Sequence, residues 1–105
     1  MKPLLAVVAG AALAAAGVAQ AQSAEDLLKK HACTACHSID KKVVGPAYQD
    51  VAAKYRGDAK APAMLMDKVK KGSVGTWGQV PMPPNAAVPD ADIKTMVAYV
   101  LALKK

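Results

Sequence analysis

Cys33-Thr34-Ala35-Cys36-His37 places two thiols at i and i+3 with a histidine directly behind the second. One helical turn brings thiols at that spacing to one edge of a flat macrocycle, and the pattern is the attachment signature of a c-type haem. The two sulfurs add to the porphyrin vinyl groups as thioethers, and the adjacent imidazole lies over the ring within reach of the iron. Three other readings fit the same residues. A Cys-x-x-Cys pair also serves thiol–disulfide oxidoreductases, but those need a β–α–β context that the rest of the chain does not offer. A zinc site asks for about four ligands, and only His31 remains to join the pair. A chance match is the third.

The surroundings of the motif favour haem. The chain has 105 residues, 4% aromatic residues and no Phe. One small domain of this kind buries too little apolar surface to offset its ordering entropy comfortably. Disulfides are the usual staple of small exported domains. Here Cys33 and Cys36 are the only cysteines, and a bridge between them closes too small a loop to stabilise a fold. A haem fixed through both sulfurs is a large apolar body that serves as core and staple together. The same counts exclude a large enzyme, a multi-domain protein and a polytopic membrane protein.

Export is read from the first residues. Lys2, an Ala/Val/Leu run from Leu4 to Ala21, and the terminal Ala19-Gln20-Ala21 form the charged start, apolar middle and small-residue cleavage site of a secretory signal. The predicted organisation is a signal peptide over 1–21 and one domain over 22–105, located outside the cytoplasm, in a bacterial periplasm. An uncleaved anchor is the competing reading, since about 20 apolar residues can span a bilayer. Alanine is only weakly lipophilic, however, and no cysteine follows the run to carry a lipid.

Four short helices are predicted, an all-α fold around one prosthetic group. Ser23 with Glu25 and Asp26 opens the first, which carries Leu27 and Leu28 to about Ala32. After the Gly45-Pro46 break, Tyr48, Val51, Ala52 and Tyr55 share one face of a second helix, closed by Gly57. Pro62 suits the first turn of a third, which presents Leu65, Met66 and Val69 and stops at Gly72. Residues 72–89 show no periodicity and read as an irregular loop of functional importance. The last helix runs from Asp90 to Leu103 with Ile93, Met96, Val97, Val100 and Leu101 inward, its dipole met by Asp90 and Asp92 at one end and by Lys104 and Lys105 at the other.

The second axial position of the iron sets the chemistry. An open position gives a gas binder or a peroxidase, and a second strong ligand gives an electron carrier. Met64, Met66 and Met96 fall within helices, where buried methionine is usually core filler. His31 lies on the His37 side and reads as a surface residue. Met82 sits in Pro81-Met82-Pro83-Pro84, where three prolines fix the backbone and lower the entropy cost of presenting one side chain. With His37 and Met82 both engaged, no position is left for a substrate, and the reading is outer-sphere electron transfer without bond chemistry. The chain is predicted not to be an enzyme.

The motif, together with Val44-Gly45-Pro46-Ala47-Tyr48 and the run Gly75-Thr76-Trp77-Gly78-Gln79-Val80-Pro81-Met82-Pro83-Pro84-Asn85, resembles the short bacterial class I cytochromes c of the c-551 type. The resemblance spans residues 22–105. It implies one haem c held by Cys33 and Cys36, with His37 and Met82 as axial ligands. It further implies that the Pro46 carbonyl accepts the His37 ring N–H and that Trp77 donates to a haem propionate. Asn85 would then hydrogen-bond near the Met82 sulfur, with Leu28 and Tyr55 beside the ring. Lys68 falls where the family varies, and no role is assigned to it. Family members shuttle electrons in respiration and denitrification, from the cytochrome bc complex to nitrite reductases or terminal oxidases. The implied protein is a monomer without stable membrane insertion.

Net charge is +6 over the whole chain, and removal of Lys2 with the signal lowers it by one. The pairs Lys29-Lys30, Lys41-Lys42 and Lys70-Lys71 are mostly a solvated surface, and some can steer an acidic redox partner. A single Arg and no basic stripe interleaved with aromatics argue against nucleic acid. Because the helices surround the haem, a Cys33→Ala/Cys36→Ala protein made without cofactor is expected to be largely unfolded. Far-ultraviolet circular dichroism checks this, and native-like helicity would contradict it.

Overall fold

The structure is a computed structural model that describes residues 23–104. The expected signal peptide over 1–21 and Lys105 lie outside them. Four α-helices follow in order: α1 (Ala24–Lys30), α2 (Tyr48–Lys54), α3 (Ala61–Lys71) and α4 (Asp90–Leu101). A 3-10 turn, Cys33–Ala35, carries the cysteine motif between α1 and α2. Among the described residues no helix is long and apolar enough to cross a membrane.

Each helix starts where its sequence permits. The Ser23 hydroxyl accepts the Asp26 N–H at 3.1 Å, and Glu25 and Asp26 stand in the first turn of α1. Pro62 occupies the first turn of α3, where its missing N–H costs nothing. Pro89 caps α4, and Asp90 and Asp92 face the positive end of its dipole. The expected basic complement at the other end is absent: α4 ends at Leu101 with no basic residue in its last turn, and Lys104 lies beyond the cap.

α4 is the hub, packed against α1, α2 and α3. Ile93, Met96, Val97 and Val100 form its buried face, as the periodicity predicts. They join Leu27 and Leu28 of α1, Tyr48 and Val51 of α2, and Val88 in one cluster. Lys70 ties α3 to the start of α4, donating to Val88 O at 2.7 Å and pairing with Asp90 at 2.8 Å.

The structure also corrects the sequence reading in the 72–89 segment and at His31, and it ends the last helix at Leu101 where Leu103 was expected. Residues 72–89 hold a two-stranded antiparallel hairpin, β1 (Ser73–Gly75) and β2 (Gly78–Met82), with Thr76 and Trp77 at its tip. Ser73 pairs with Met82 and Gly75 with Gly78, with an irregularity between them. Apart from Ser73 and Met82 the strands are exposed, so no burial alternation marks the sequence, and Pro81 and the glycines hide the strands further. His31, expected on the surface, is only 14% exposed at its side chain. Its Nε2 lies 3.0 Å from Asp92 Oδ2, which joins the end of α1 to the first turn of α4.

That pair matters because Ala32 follows it with φ 61°, the left-handed region. A residue with a Cβ holds that conformation only where its surroundings enforce it. His31→Ala is expected to lower stability by about 1 kcal/mol, through loss of a half-buried charge-assisted contact. Guanidinium unfolding of the holoprotein reads this directly, with a lower midpoint and an unchanged slope.

Candidate haem-binding site

The cysteine motif, the loop behind it and the hairpin enclose a cavity of about 600 Å³, within the range of cofactor sites. Leu28, Val51, Leu65, Val69 and Val97 give it an apolar floor. Cys33, Cys36 and His37 line one part, and Trp77 and Met82 reach it from the hairpin. Pro46 completes the lining contributed by predicted site residues. Met96 lines the cavity as well, from within the α4 core face. Met64, Met66, Asn85 and Tyr55 are not among the lining residues.

Local hydrogen bonds shape the motif. His37 N–H and Cys36 N–H both reach Cys33 O, at 3.1 and 3.2 Å, closing the turn that sets the two sulfurs. The chain then folds back: Gly45 N–H donates to Cys36 O at 2.7 Å and Tyr48 N–H to Ser38 O at 2.8 Å. Residues 38–48 therefore form a brace behind the histidine.

The imidazole is held on three sides. His37 Nδ1 lies 2.8 Å from Pro46 O, and a carbonyl can only accept, so Nδ1 carries the proton. In the neutral ring Nε2 then keeps its lone pair for a metal. Tyr48 stacks on the imidazole with centroids 5.0 Å apart and planes at 23°. Gly45 supplies the third side. A Cβ there would stand 2.5 Å from His37 Cε1 and 3.0 Å from Nδ1. The residue is glycine because of this close approach, not to relax a turn, since Gly45 is not among the positive-φ glycines.

A second glycine serves Met82. Gly72 caps α3 with φ 88° and ψ 169°, a region essentially closed to other residues. A Cβ on it would meet Met82 O at 2.8 Å and Pro84 N at 3.2 Å. Beyond Met82 the chain is stitched to α3 through Asn85. Its backbone N–H donates to Val69 O at 2.9 Å, and its Nδ2 donates to Val69 O and Pro83 O, each at 3.2 Å. Trp77, 40% exposed, has the Lys54 ammonium 5.7 Å from its ring centroid. Lys68 Nζ donates to Thr76 Oγ1 at 3.0 Å beside it.

The chemistry of the walls suits a haem. Burial pushes the Cys33 thiol above its ordinary value, with Cys36 adding to the shift, whereas thiol oxidoreductases depend on a lowered one. The pair also lacks company for zinc: among the described residues no cluster of three or more His, Cys, Asp or Glu could hold a metal. Tyr48, 6% exposed, keeps a hydroxyl with no hydrogen-bond partner among the described residues. Burial raises its phenol first, and the two cysteines next. An apolar cavity with two thiols, an oriented imidazole and a thioether on its walls fits a covalently held haem and its iron.

Comparison with known proteins agrees. The cytochrome c family profile matches residues 10–104. The chain belongs to the cytochrome c family. As a cytochrome c it is a mono-haem electron carrier with one covalently bound haem c. It is 62% identical over 77 residues to cytochrome c-551 of Allochromatium vinosum, covering 73% of this chain and 82% of that one. To cytochrome c-551 of Pseudomonas aeruginosa it is 51% identical over 106 residues, covering 99% and 100%. The crystal structure of wild-type Nitrosomonas europaea cytochrome c552 superposes with a TM-score of 0.74 at 52% identity, covering 76% of this chain and 99% of that one. The class I, c-551-type fold expected from the sequence is the fold observed.

Gly45 and Gly72 carry information that the sequence reading did not extract, because a close approach leaves no mark on composition or periodicity. Gly45→Ala is expected to tilt the imidazole, and Gly72→Ala to push Met82 outward at a cost of about 1–3 kcal/mol for the strained backbone. Paramagnetic NMR of the ferric protein checks both, through altered hyperfine shifts of the His37 and Met82 side chains.

Proposed function

We propose that this cytochrome c is a periplasmic carrier with its iron held between His37 and Met82, passing single electrons between respiratory redox proteins. The observation that carries the reading is that an imidazole of fixed tautomer and the thioether at the end of β2 line the same cavity as the two cysteines. When bound, the haem supplies a one-electron iron couple and no group transfer.

Each residue then has a defined task. Cys33 and Cys36 hold the haem through thioethers, which makes cofactor binding irreversible. His37 donates Nε2, and the Pro46 carbonyl keeps the Nδ1 proton in place and raises the basicity of the ring. Met82 donates a soft, uncharged sulfur, which favours the ferrous state and raises the potential. Met82 is preferred to Met96 because Met96 is packed into the α4 core with Ile93 and Val97. Trp77, at the hairpin tip, would donate its indole N–H to a propionate. Asn85 holds the Met82 loop to α3 by the bonds described above.

The export reading of residues 1–21 puts the carrier in the periplasm. The electron donor is a cytochrome bc complex, and the acceptor is a nitrite reductase or terminal oxidase. The lysine pairs on a basic surface suit acidic partners met in transient encounters by a monomer. With His37 and Met82 both holding the iron, no position would be left for a substrate, and no bond-making activity is assigned.

Met82→Ala tests the ligand set. The variant is expected to lose the weak red absorption of sulfur–iron(III) bonding, to bind carbon monoxide when reduced, and to have a lower reduction potential. Spectrophotometric redox titration reads the band and the potential, and the spectrum of the reduced protein under carbon monoxide reads the third change. Retention of the band and of the potential would put Met96 in the place of Met82.

A further inference from the structure

The hairpin that carries Met82 buries little of its own surface, and a cation joins it to α2. The Lys54 ammonium lies 5.7 Å from the Tyr55 ring centroid and 5.7 Å from that of Trp77. The two rings differ in kind. Tyr55 packs against the hydrophobic cluster and is a fixed platform. Trp77 stands at the hairpin tip, 40% exposed, on strands that are exposed apart from Ser73 and Met82.

Other ties fix the hairpin at other points. Lys68 of α3 bonds the Thr76 hydroxyl, and Asn85 anchors the chain beyond Met82 to Val69. Both lead to α3. Lys54 leads to α2, the helix that begins at Tyr48. The tip is thus held from two helices, and Lys54 is the α2 hold on the indole.

We propose that Lys54 is a positioning residue that clasps Trp77, and with it the strand ending in Met82, so that Met82 stays seated against the iron. The proposal rests on the reading of Met82 as axial ligand. A cation–π contact at an exposed site changes an equilibrium constant about twofold to fivefold. Loss of the Lys54–Trp77 contact raises the open population of the hairpin by that factor. The stem of Lys54 is not what matters, so Met, which keeps its length without the charge, is the informative replacement, and Arg keeps the contact.

The test is imidazole binding to the ferric holoprotein, whose rate reports how often the thioether leaves. Lys54→Met is expected to bind imidazole about twofold to fivefold faster, with the unfolding midpoint nearly unchanged. Lys54→Arg restores the original rate. In a Trp77→Leu background, Lys54→Met produces no further acceleration, since the partner ring is gone. An unchanged rate in Lys54→Met, or an equal acceleration in the Trp77→Leu background, overturns the clasp while the sulfur–iron band of the parent protein keeps the axial reading intact. Absence of that band in the parent overturns the axial reading and the clasp with it.

Discussion

The hydrogen bond from His37 Nδ1–H to Pro46 O is the constraint on which the rest of the site depends. It fixes the tautomer, the ring plane and the direction of the remaining nitrogen at once. It can form only because the chain returns to the imidazole within nine residues, and that return is possible only because Gly45 has no Cβ to strike the ring. Tyr48 then closes the other face by stacking. Every member of this assembly lies between Cys33 and Tyr48, so the cysteine turn and the oriented imidazole are built by neighbours in sequence, with little need of the distant chain.

The cavity explains how so short a chain manages with so few aromatics. The packed cluster is made of aliphatic side chains and Tyr48, gathered by α4. The floor of the cavity is made from the same residues: Leu28, Val51, Ile93, Val97 and Val100 both pack together and line it. A haem resting there extends this core where a larger protein would place Phe and Trp. Folding and cofactor retention are therefore coupled, which makes covalent attachment through two sulfurs a stability device as much as a means of keeping the cofactor.

The helices and the cysteine motif were legible in the sequence because each obeys a local rule. Ser23 caps, Pro62 begins, Gly72 ends, and the period of Ile93, Met96, Val97 and Val100 marks a buried face. Cytochrome c membership followed from the motif and the Trp-to-Asn run. What stayed hidden depends on the third dimension. The hairpin has no buried face to leave an alternating pattern. His31 is drawn out of solvent by Asp92, 61 residues away. Gly45 and Gly72 look like ordinary punctuation until their neighbours are placed. Lys54 looks like one more surface cation until two rings are found beneath it.

These two classes of contact divide the site unequally. The imidazole side is local, short-ranged and braced by backbone hydrogen bonds. The thioether side is a thin hairpin, held to α3 by one backbone bond, Asn85 N–H to Val69 O, and otherwise by side chains: the Lys68 bond to Thr76, the Asn85 amide and the Lys54 ammonium over Trp77. Backbone hydrogen bonds in a brace break only with the brace, whereas exposed side-chain contacts open singly and at low cost. The hairpin is therefore expected to open more readily than the brace. On the proposed ligation, the iron would thus have one partner braced by the backbone and one carried on a lightly held hairpin, an arrangement that needs no larger core.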